Sequence, residues 1–354
     1  MTYNAEIELQ EQFTNAAADG TALNIVSGNT KQFLGRTPQG TSFDVSGHTG
    51  ITGYEPKELV ITARCGTPLS EVKAVLSERG QMLAVEPPGF GDKATLGGTI
   101  ASGLSGPRRP YSGSARDFVL GTRVLNGRGE ILRFGGEVMK NVAGYDVSRL
   151  MTGAMGTLGV ILEVSLKVLP LPAKEVTLVQ TRSPADAIRI MNLWARRPIP
   201  LSAACYDGER LYARLSGAAT AVTSACGIIG GETMERSEAF WADRFREQGH
   251  AFFQGDVPLW RVSVPPTTAA EKLPGKCLMD WGGALRWLKT DMNPQNIHDK
   301  AAAVGGHASL FRGGNRQDGV NQPLPKPIMT IHHNLKRAFD PQGLFNPGRL
   351  YPEL

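Results

Sequence analysis

The residues best suited to ligand chemistry lie in segment 95–110, which combines closely spaced glycines with hydroxyl side chains. Glycine lets main-chain N–H groups approach a ligand closely. Hydroxyl groups and bare amides together supply the hydrogen-bond donors that phosphate oxygens need. The same glycines could instead serve tight turns. The candidate ligand-binding residues of this segment are Thr95, Gly97, Gly98, Thr99, Ser102, Gly103 and Gly106.

Two similar segments lie on either side of it in the chain. Segment 27–31 follows the apolar run 22–26, so a strand would deliver its amides and hydroxyls as a pyrophosphate nest. On its own, it could be a surface turn. Segment 153–159 has a small residue at every third position, which suits a planar or phosphorylated ligand or, alternatively, close helix–strand packing. The candidates here are Ser27, Gly28, Asn29, Thr30, Lys31, Gly156, Gly159 and Ile161.

Two turn-rich segments complete the set. Segment 86–89 leads into the glycine-rich segment and contributes Pro88. Segment 339–348 has two prolines and two glycines, and it contributes Asn346. Such a composition fixes turns and, alone, is typical of the end of a domain.

The common explanations of a glycine-rich loop are excluded. The chain contains no Gly-x-Gly-x-x-Gly and no Gly-Lys-Ser/Thr, so neither the Rossmann fingerprint nor a P-loop is present. The four cysteines are widely scattered, which argues against structural zinc, an iron–sulfur cluster or a disulfide framework and fits a reducing compartment. They are Cys65, Cys205, Cys226 and Cys277.

Length and composition indicate an ordinary globular protein of two or three folding units, because 354 residues exceed the ~150 of one domain. No apolar run reaches the ~18 residues of a membrane span, and the acidic N-terminus does not resemble a secretory signal. The net charge of +5 is dispersed, which excludes an extended nucleic-acid surface. We therefore expect a cytoplasmic protein without direct membrane insertion.

The elements that must position the candidates form an α+β unit followed by a different one. Strands are predicted at 22–26, 58–64 and 161–169, with a helix from Pro68 that Thr67 caps and Gly80 ends. Asn126 and Gly127 predict the turn of a hairpin over 118–134. After Pro172, the order strand, helix, hairpin, helix is that of a ferredoxin-like plait. A last helix is predicted over 327–339.

The three segments, in this order and followed by the tail 340–348, resemble the FAD-binding domain of the vanillyl-alcohol oxidase family. Segments 106–110, 134–146 and 280–287 resemble more narrowly the FAD-binding E-type subunits of bacterial glycolate oxidase, also called glycolate dehydrogenase. The resemblance implies a two-lobed PCMH-type FAD-binding domain over 1–172. It also implies a small ferredoxin-like α/β cap over 173–326 and a C-terminal segment, 327–354, that returns to the FAD domain.

The resemblance also implies roles for residues. The first segment would hold the pyrophosphate of FAD from one side, and the glycine-rich segment would hold it and the ribityl chain from the other. Gly156, Gly159 and Ile161 would lie along the adenosine half, and Asn346 would approach the flavin. Lys140 and Asp146 would support the loop after Gly136, or alternatively form a surface ion pair.

Two departures from the family pattern matter. The first segment has Asn29 where some relatives have a histidine bonded to the flavin, so we expect non-covalent FAD. The histidine-rich metal motif of catalytically active relatives is missing from the sequence. We therefore assign no catalytic residue and no metal, and we give His307 and His332 packing or surface roles.

The function implied is that of an FAD-binding subunit in a complex that oxidises glycolate to glyoxylate. It would be part of an oxidoreductase acting on CH–OH groups, with the main catalytic site in a larger homologous FAD subunit and an iron–sulfur subunit as electron acceptor. Such a complex could sit at the inner membrane through its partners. Trp260, Trp281 and Trp287 would be a partner surface or simply core.

Two alternatives stay open. One is a self-sufficient FAD-dependent 2-hydroxy-acid dehydrogenase, in which Arg312 or Arg286 would hold the substrate carboxylate. The other is a structural subunit whose cofactor cleft stays empty.

Overall fold

The computed structural model describes residues 2–136 and 146–354. Its helices are α1 Thr2–Ala18, α2 Leu69–Glu78, α3 Leu96–Ser102, α4 Arg109–Ser112, α5 Ala115–Phe118, α6 Val147–Leu150, α7 Pro184–Ala195, α8 Ala219–Ile229, α9 Ser237–Ala239, α10 Pro294–Ala303 and α11 Lys326–Phe339. A π-helical turn spans Phe240–Arg246, and short 3₁₀ turns span Ala251–Phe253, Ala270–Lys272 and Trp281–Gly283.

The strands lie among these helices. They are β1 Leu23–Val26, β2 Thr41–Asp44, β3 Ile51–Glu55, β4 Val60–Arg64, β5 Gln81–Met82, β6 Val119–Leu125, β7 Ile131–Gly135, β8 Val160–Lys167, β9 Leu169–Pro170, β10 Lys174–Thr181, β11 Leu201–Tyr206, β12 Arg210–Gly217, β13 Glu232–Thr233, β14 Leu259–Ser263, β15 Lys276–Asp280, β16 Leu285–Lys289 and β17 His307–Arg312.

The chain divides into two compact units. The first unit contains the chain up to Leu104, then Ser114–Pro170, and then the stretch from Leu324 to the C-terminus. The second contains Ser105–Gly113 and Leu171–Pro323. Segment 105–113, predicted to lie in the domain of residues 1–172, packs in the second unit because Trp281 Nε1 donates to the Gly106 carbonyl at 3.0 Å.

The first unit is built on a five-stranded antiparallel sheet in the order β3-β4-β8-β6-β7. Its central strand β8 is buried on both faces along most of its length, so its apolar run is almost continuous. β1 and β2 form a separate parallel pair, and β5 and β9 a short antiparallel one. This sheet is the platform on which the candidate segments rest.

The helix α2 illustrates one correct and one wrong prediction. It buries Leu69, Val72 and Leu76, and Gly80 beyond its end has a φ of +64°, as predicted. Thr67 does not cap it. Thr67 stands two residues before the helix begins at Leu69, and its hydroxyl instead accepts the Gly50 N–H at 2.9 Å.

Two further local predictions are corrected. The glycine-rich segment is not a loop throughout, since residues Leu96–Ser102 form α3 with Thr95 as its cap. The hairpin turn is also longer than predicted, because Asn126 N–H bonds the Glu130 carbonyl and the positive φ falls on Gly129. Gly127 is needed for another reason, since a Cβ there would lie 2.5 Å from Asp340 Cα.

The second unit is an eight-stranded antiparallel sheet in the order β13-β10-β12-β11-β15-β16-β14-β17. Its first half, β10-α7-β11-β12-α8-β13, has the connectivity of the predicted ferredoxin-like plait. Four more strands, β15, β16, β14 and β17, extend this half into one sheet. Residues Ser237–Ala239 form a three-residue helix, which the π-helical turn follows. Across the described residues, no helix has the length and apolar character needed to cross a membrane.

Candidate cofactor-binding site

A cleft opens in the first unit, where the ends of several elements meet. Most of the predicted residues line it: Ser27, Gly28, Asn29, Thr30, Lys31, Thr95, Gly97, Gly98, Ser102, Gly156, Gly159, Ile161 and Asn346. The predicted residues that do not line it are Pro88, Thr99, Gly103 and Gly106.

The loop after β1 offers unused hydrogen-bond donors. Ser27 Oγ is buried without a partner among the described residues. The main-chain N–H groups of Gly28, Asn29 and Thr30 make no hydrogen bond within that same part of the chain. Asn29 has a φ of +56°, and successive amides in such a left-handed turn converge on an anion. This loop therefore fits a pyrophosphate.

The shape of this loop depends on close contact with segment 89–93. A Cβ on Gly28 would lie 1.5 Å from the carbonyl oxygen of Lys93, so only glycine fits there. Thr30 Oγ1 donates to the Gly89 carbonyl at 2.6 Å, and Lys31 Nζ reaches the same oxygen at 3.2 Å. Pro88 is buried directly before Gly89, outside the cleft lining.

The start of α3 plays a different part from the one predicted. Gly97 N–H bonds the Cys65 carbonyl at 2.8 Å, and Gly98 N–H bonds Thr95 Oγ1 at 3.3 Å, so neither amide is left for a phosphate. A Cβ on Gly97 would lie 2.6 Å from Cys65 Cβ. These glycines provide a flat wall and close packing rather than donors.

Two other predicted residues of this segment serve the helix itself. The Thr99 hydroxyl donates to the Thr95 carbonyl at 2.8 Å, and the side chain is buried. Gly103 ends α3 with a φ of +63° and faces Gly153, whose Cα would lie 2.9 Å from an added Cβ. Gly106 belongs to the second unit.

The C-terminal tail holds the third segment against β1. Asn346 Oδ1 accepts the Ile25 N–H at 2.7 Å, and Asn346 Nδ2 donates to the Met155 carbonyl at 2.5 Å. A Cβ on Gly156 would lie 2.7 Å from that Nδ2. The amide of Asn346 is thus engaged by the protein, and its role is to hold two loops at the cleft wall.

The tail is itself fixed by a buried ion pair. Lys336 Nζ lies 2.8 Å from Asp340 Oδ2 and also donates to the carbonyls of Thr157 and Phe345, at 2.8 and 2.7 Å. Asp340 in turn accepts the Phe345 N–H at 2.8 Å. This network explains the polar residues of the tail segment and ties it to segment 153–159.

Sequence reasoning missed Arg349 and Cys65 in the cleft lining. Arg349 is buried, which lowers its pKa to about 10, and it donates to the carbonyls of Gln32 and Arg36. It stays charged at neutral pH and adds a positive charge near the first loop. Burial raises the pKa of the Cys65 thiol to about 12, so it is neutral. Arg349 could have been found from its place three residues after Asn346.

The remaining candidates lie elsewhere. Asp146 precedes α6, and its carboxylate lies 3.3 Å from Arg149 Nε in an exposed ion pair. Lys140 is outside the described residues. Among the residues that the structure does describe, no three His, Cys, Asp or Glu side chains gather as a metal-binding group.

Comparison with known proteins agrees with this geometry. Residues 4–135 match a family model described as an FAD binding domain, which identifies FAD as the cofactor. An alkyldihydroxyacetonephosphate synthase structure superposes with a TM-score of 0.65 at 14% identity, over 96% of this chain and 75% of that one. The predicted α+β FAD-binding fold is thereby confirmed.

Two sequence relatives carry the likeness further. Glycolate oxidase subunit GlcD of Bacillus subtilis (strain 168) is 30% identical over 85% of this chain and 77% of that protein. Glycolate oxidase subunit GlcE of Escherichia coli (strain K12) is 50% identical over 346 residues, which are 98% of this chain and 97% of that one. On this full-length likeness, the chain belongs to the family of glycolate oxidase subunit GlcE.

Proposed function

We propose that this chain is the FAD-binding subunit of a complex that oxidises glycolate to glyoxylate. The observation that carries the proposal is the donor-rich loop after β1, placed in the cleft of an FAD binding domain. When bound, FAD supplies the redox chemistry by accepting a hydride from the carbon that bears the hydroxyl group. The names of the two glycolate oxidase relatives supply the substrate.

In this proposal the chain's own residues divide the work of binding. Ser27 Oγ and the amides of Gly28, Asn29 and Thr30 donate to the pyrophosphate. Gly97 and Gly98 let the ligand lie against the start of α3, since neither adds a side chain to the wall. Lys31 and Arg349 offset the negative charge of the phosphates.

FAD is bound without a covalent link. Among the residues that the structure describes, no histidine lines the cleft. Its cysteine, Cys65, has a buried thiol whose raised pKa of about 12 leaves almost no nucleophilic thiolate.

A larger homologous flavin subunit carries the main catalytic site, and an iron–sulfur subunit accepts the electrons. The likeness to GlcD supports a division of labour, because it is a second glycolate oxidase subunit related to this chain. We place the assembled complex in the cytoplasm, at the inner face of the membrane through its partners. Cell fractionation of the tagged chain, with and without co-expressed partners, tests this location.

The deciding experiment is an anaerobic visible spectrum of the purified chain reconstituted with FAD. We expect flavin absorption that glycolate does not bleach until the GlcD-type subunit is added. Bleaching of the chain alone would replace our division of labour by a self-sufficient dehydrogenase. Failure to retain FAD would favour an empty, structural cleft and overturn the proposal.

A further inference from the structure

The second unit holds an arginine whose guanidinium has no hydrogen-bonding or ion-pair partner among the described residues. Arg261, in the middle of β14, is partly buried, and its guanidinium makes no hydrogen bond or ion pair with any residue that the structure describes. Its guanidinium carbon lies 5.0 Å from the centre of the Trp281 ring, and that of Arg109 lies 4.4 Å from the same ring. Two cations therefore gather around one indole.

The indole is held firmly in this place. Trp281 has a φ of +54°, a strained backbone conformation for a bulky residue. Its main-chain N–H donates to Asp280 Oδ1 at 2.6 Å, and its ring Nε1 donates to the Gly106 carbonyl at 3.0 Å. Strain that surrounding bonds maintain is typical of functional sites.

On its face of the sheet, Arg261 has polar neighbours on β17 and an aromatic neighbour, Trp287, on β16. Ser309 on β17 stands directly opposite Arg261, and His307 stands opposite Ser263 in the same ladder. Residues opposite each other in an antiparallel pair share a face. The other face is apolar, because Trp260 and Val262 pack in one core with Ile297 of α10. The face of Arg261 thus combines the Ser309 hydroxyl and the His307 imidazole with the indole of Trp287.

The charges at this place favour an anion. Burial and the nearby Arg109 lower the pKa of Arg261 to about 10, while Asp280 acts in the opposite direction. Arg261 is therefore still protonated at neutral pH. Burial and the charge of Arg261 lower the pKa of His307, so its imidazole is neutral there. A partly desolvated guanidinium without a hydrogen bond or ion pair is costly, and a bound anion would offset that cost.

We infer that Arg261, with Ser309 and His307 beside it, binds the carboxylate of a small 2-hydroxy acid. The planar guanidinium matches a carboxylate in two parallel hydrogen bonds. The choice of a hydroxy acid rests on the proposed function. The residue Arg286, one of the two arginines named for this role from the sequence, is engaged instead, since it donates to the carbonyls of Gly283 and Thr268 at 2.8 Å each.

The test measures the binding of sodium glycolate to the full chain, by calorimetry and by thermal unfolding. Sodium chloride is the salt control. For Arg261→Met we expect at least tenfold weaker binding and loss of the glycolate-induced rise in Tm. Without glycolate, its Tm should equal or exceed that of the wild type, because an unpaired charge has been removed. Arg189→Met, at an exposed arginine of α7, is the matched control and should behave as the wild type.

Unchanged glycolate binding by Arg261→Met would overturn the inference. A lower Tm of Arg261→Met without glycolate would also overturn it, because that result would mark Arg261 as a structural residue. The proposed function is judged separately, by glycolate oxidation in the assembled complex. If the complex oxidises glycolate but Arg261→Met does not weaken glycolate binding to the chain, the carboxylate site is wrong and the proposed function stands. If the complex is inactive but the chain still binds glycolate through Arg261, the proposed function is wrong and the carboxylate site stands.

Discussion

Asn346 and Ile25 are joined by a hydrogen bond of 2.7 Å although 321 residues separate them in the chain. Through this bond the last turn of the molecule fixes the strand that leads into the phosphate-binding loop. The same side chain holds the Met155 carbonyl, so one amide positions two walls of the cleft. The C-terminal segment is therefore a structural part of the cofactor site.

Replacing Asn346 by glycine removes both bonds and keeps the backbone unstrained, since its φ is +43°. We expect a loss of about 1–3 kcal/mol in the free energy of unfolding, because the buried Ile25 N–H and the Met155 carbonyl lose their partner. FAD affinity should fall as well. Chemical denaturation and FAD titration measure the two effects. The control Asn296→Gly, on the exposed face of α10, should leave FAD affinity unchanged.

The contact between Gly28 and Lys93 predicts a severe effect of the smallest possible substitution. Gly28→Ala places a Cβ 1.5 Å from a main-chain oxygen, so the loop must move away from segment 89–93. We expect at least tenfold weaker FAD binding, read as a lower flavin-to-protein ratio after purification. Gly47→Ala is the matched control, since nothing lies within 4 Å of its added Cβ. Equal flavin content in both variants would contradict the role given to this contact.

The attachment of FAD can be tested directly. Because the Cys65 thiol is neutral and buried, acid or heat denaturation should release all of the flavin into the supernatant. Cys65→Ser should give the same result. Flavin that stays with the precipitated protein, and that Cys65→Ser frees, would show a covalent link.

The sequence indicated where the ligand-binding loops lie because their composition reflects local backbone chemistry. It could not show that residues Leu96–Ser102 form a helix. Two glycines each cost about 1 kcal/mol of helix propensity, and tertiary bonds such as that from Gly97 N–H to the Cys65 carbonyl must compensate for this. Strands β15 and β17 were missed for a similar reason, since their pairing with distant strands, rather than their own pattern, defines them.

Arg261 was likewise beyond the sequence. An arginine in a strand is ordinary. Only the structure shows that the Arg261 guanidinium makes no hydrogen bond among the described residues, whereas that of Arg286 donates to two carbonyls.

Histidine burial predicts that the protein loses stability in mild acid. His48 is 3% exposed, and burial lowers its pKa from 6.5 despite the attraction of Glu6. Below pH 6.5, His48 is therefore protonated in the unfolded chain and still neutral in the folded chain, until the pH falls through the folded-state pKa. The free energy of unfolding should decrease from pH 7 to 5.5. In His48→Gln this decrease should be smaller, whereas His333→Gln, on α11, should retain it.

Ser27 offers the sharpest separation of binding from stability. Its buried hydroxyl has no partner among the described residues, so the folded chain loses nothing when Ser27→Ala removes it. The Tm without FAD should be unchanged or slightly higher, because an unsatisfied buried hydroxyl is unfavourable. FAD affinity should fall about tenfold, as for the loss of one hydrogen bond to a charged group.

Ser165→Ala is the matched contrast, since that hydroxyl bonds Thr62 Oγ1 at 2.9 Å inside the sheet. It should lower the Tm and leave FAD affinity intact. A Ser27→Ala protein that is less stable yet binds FAD normally would mean that the hydroxyl serves the fold and not the cofactor.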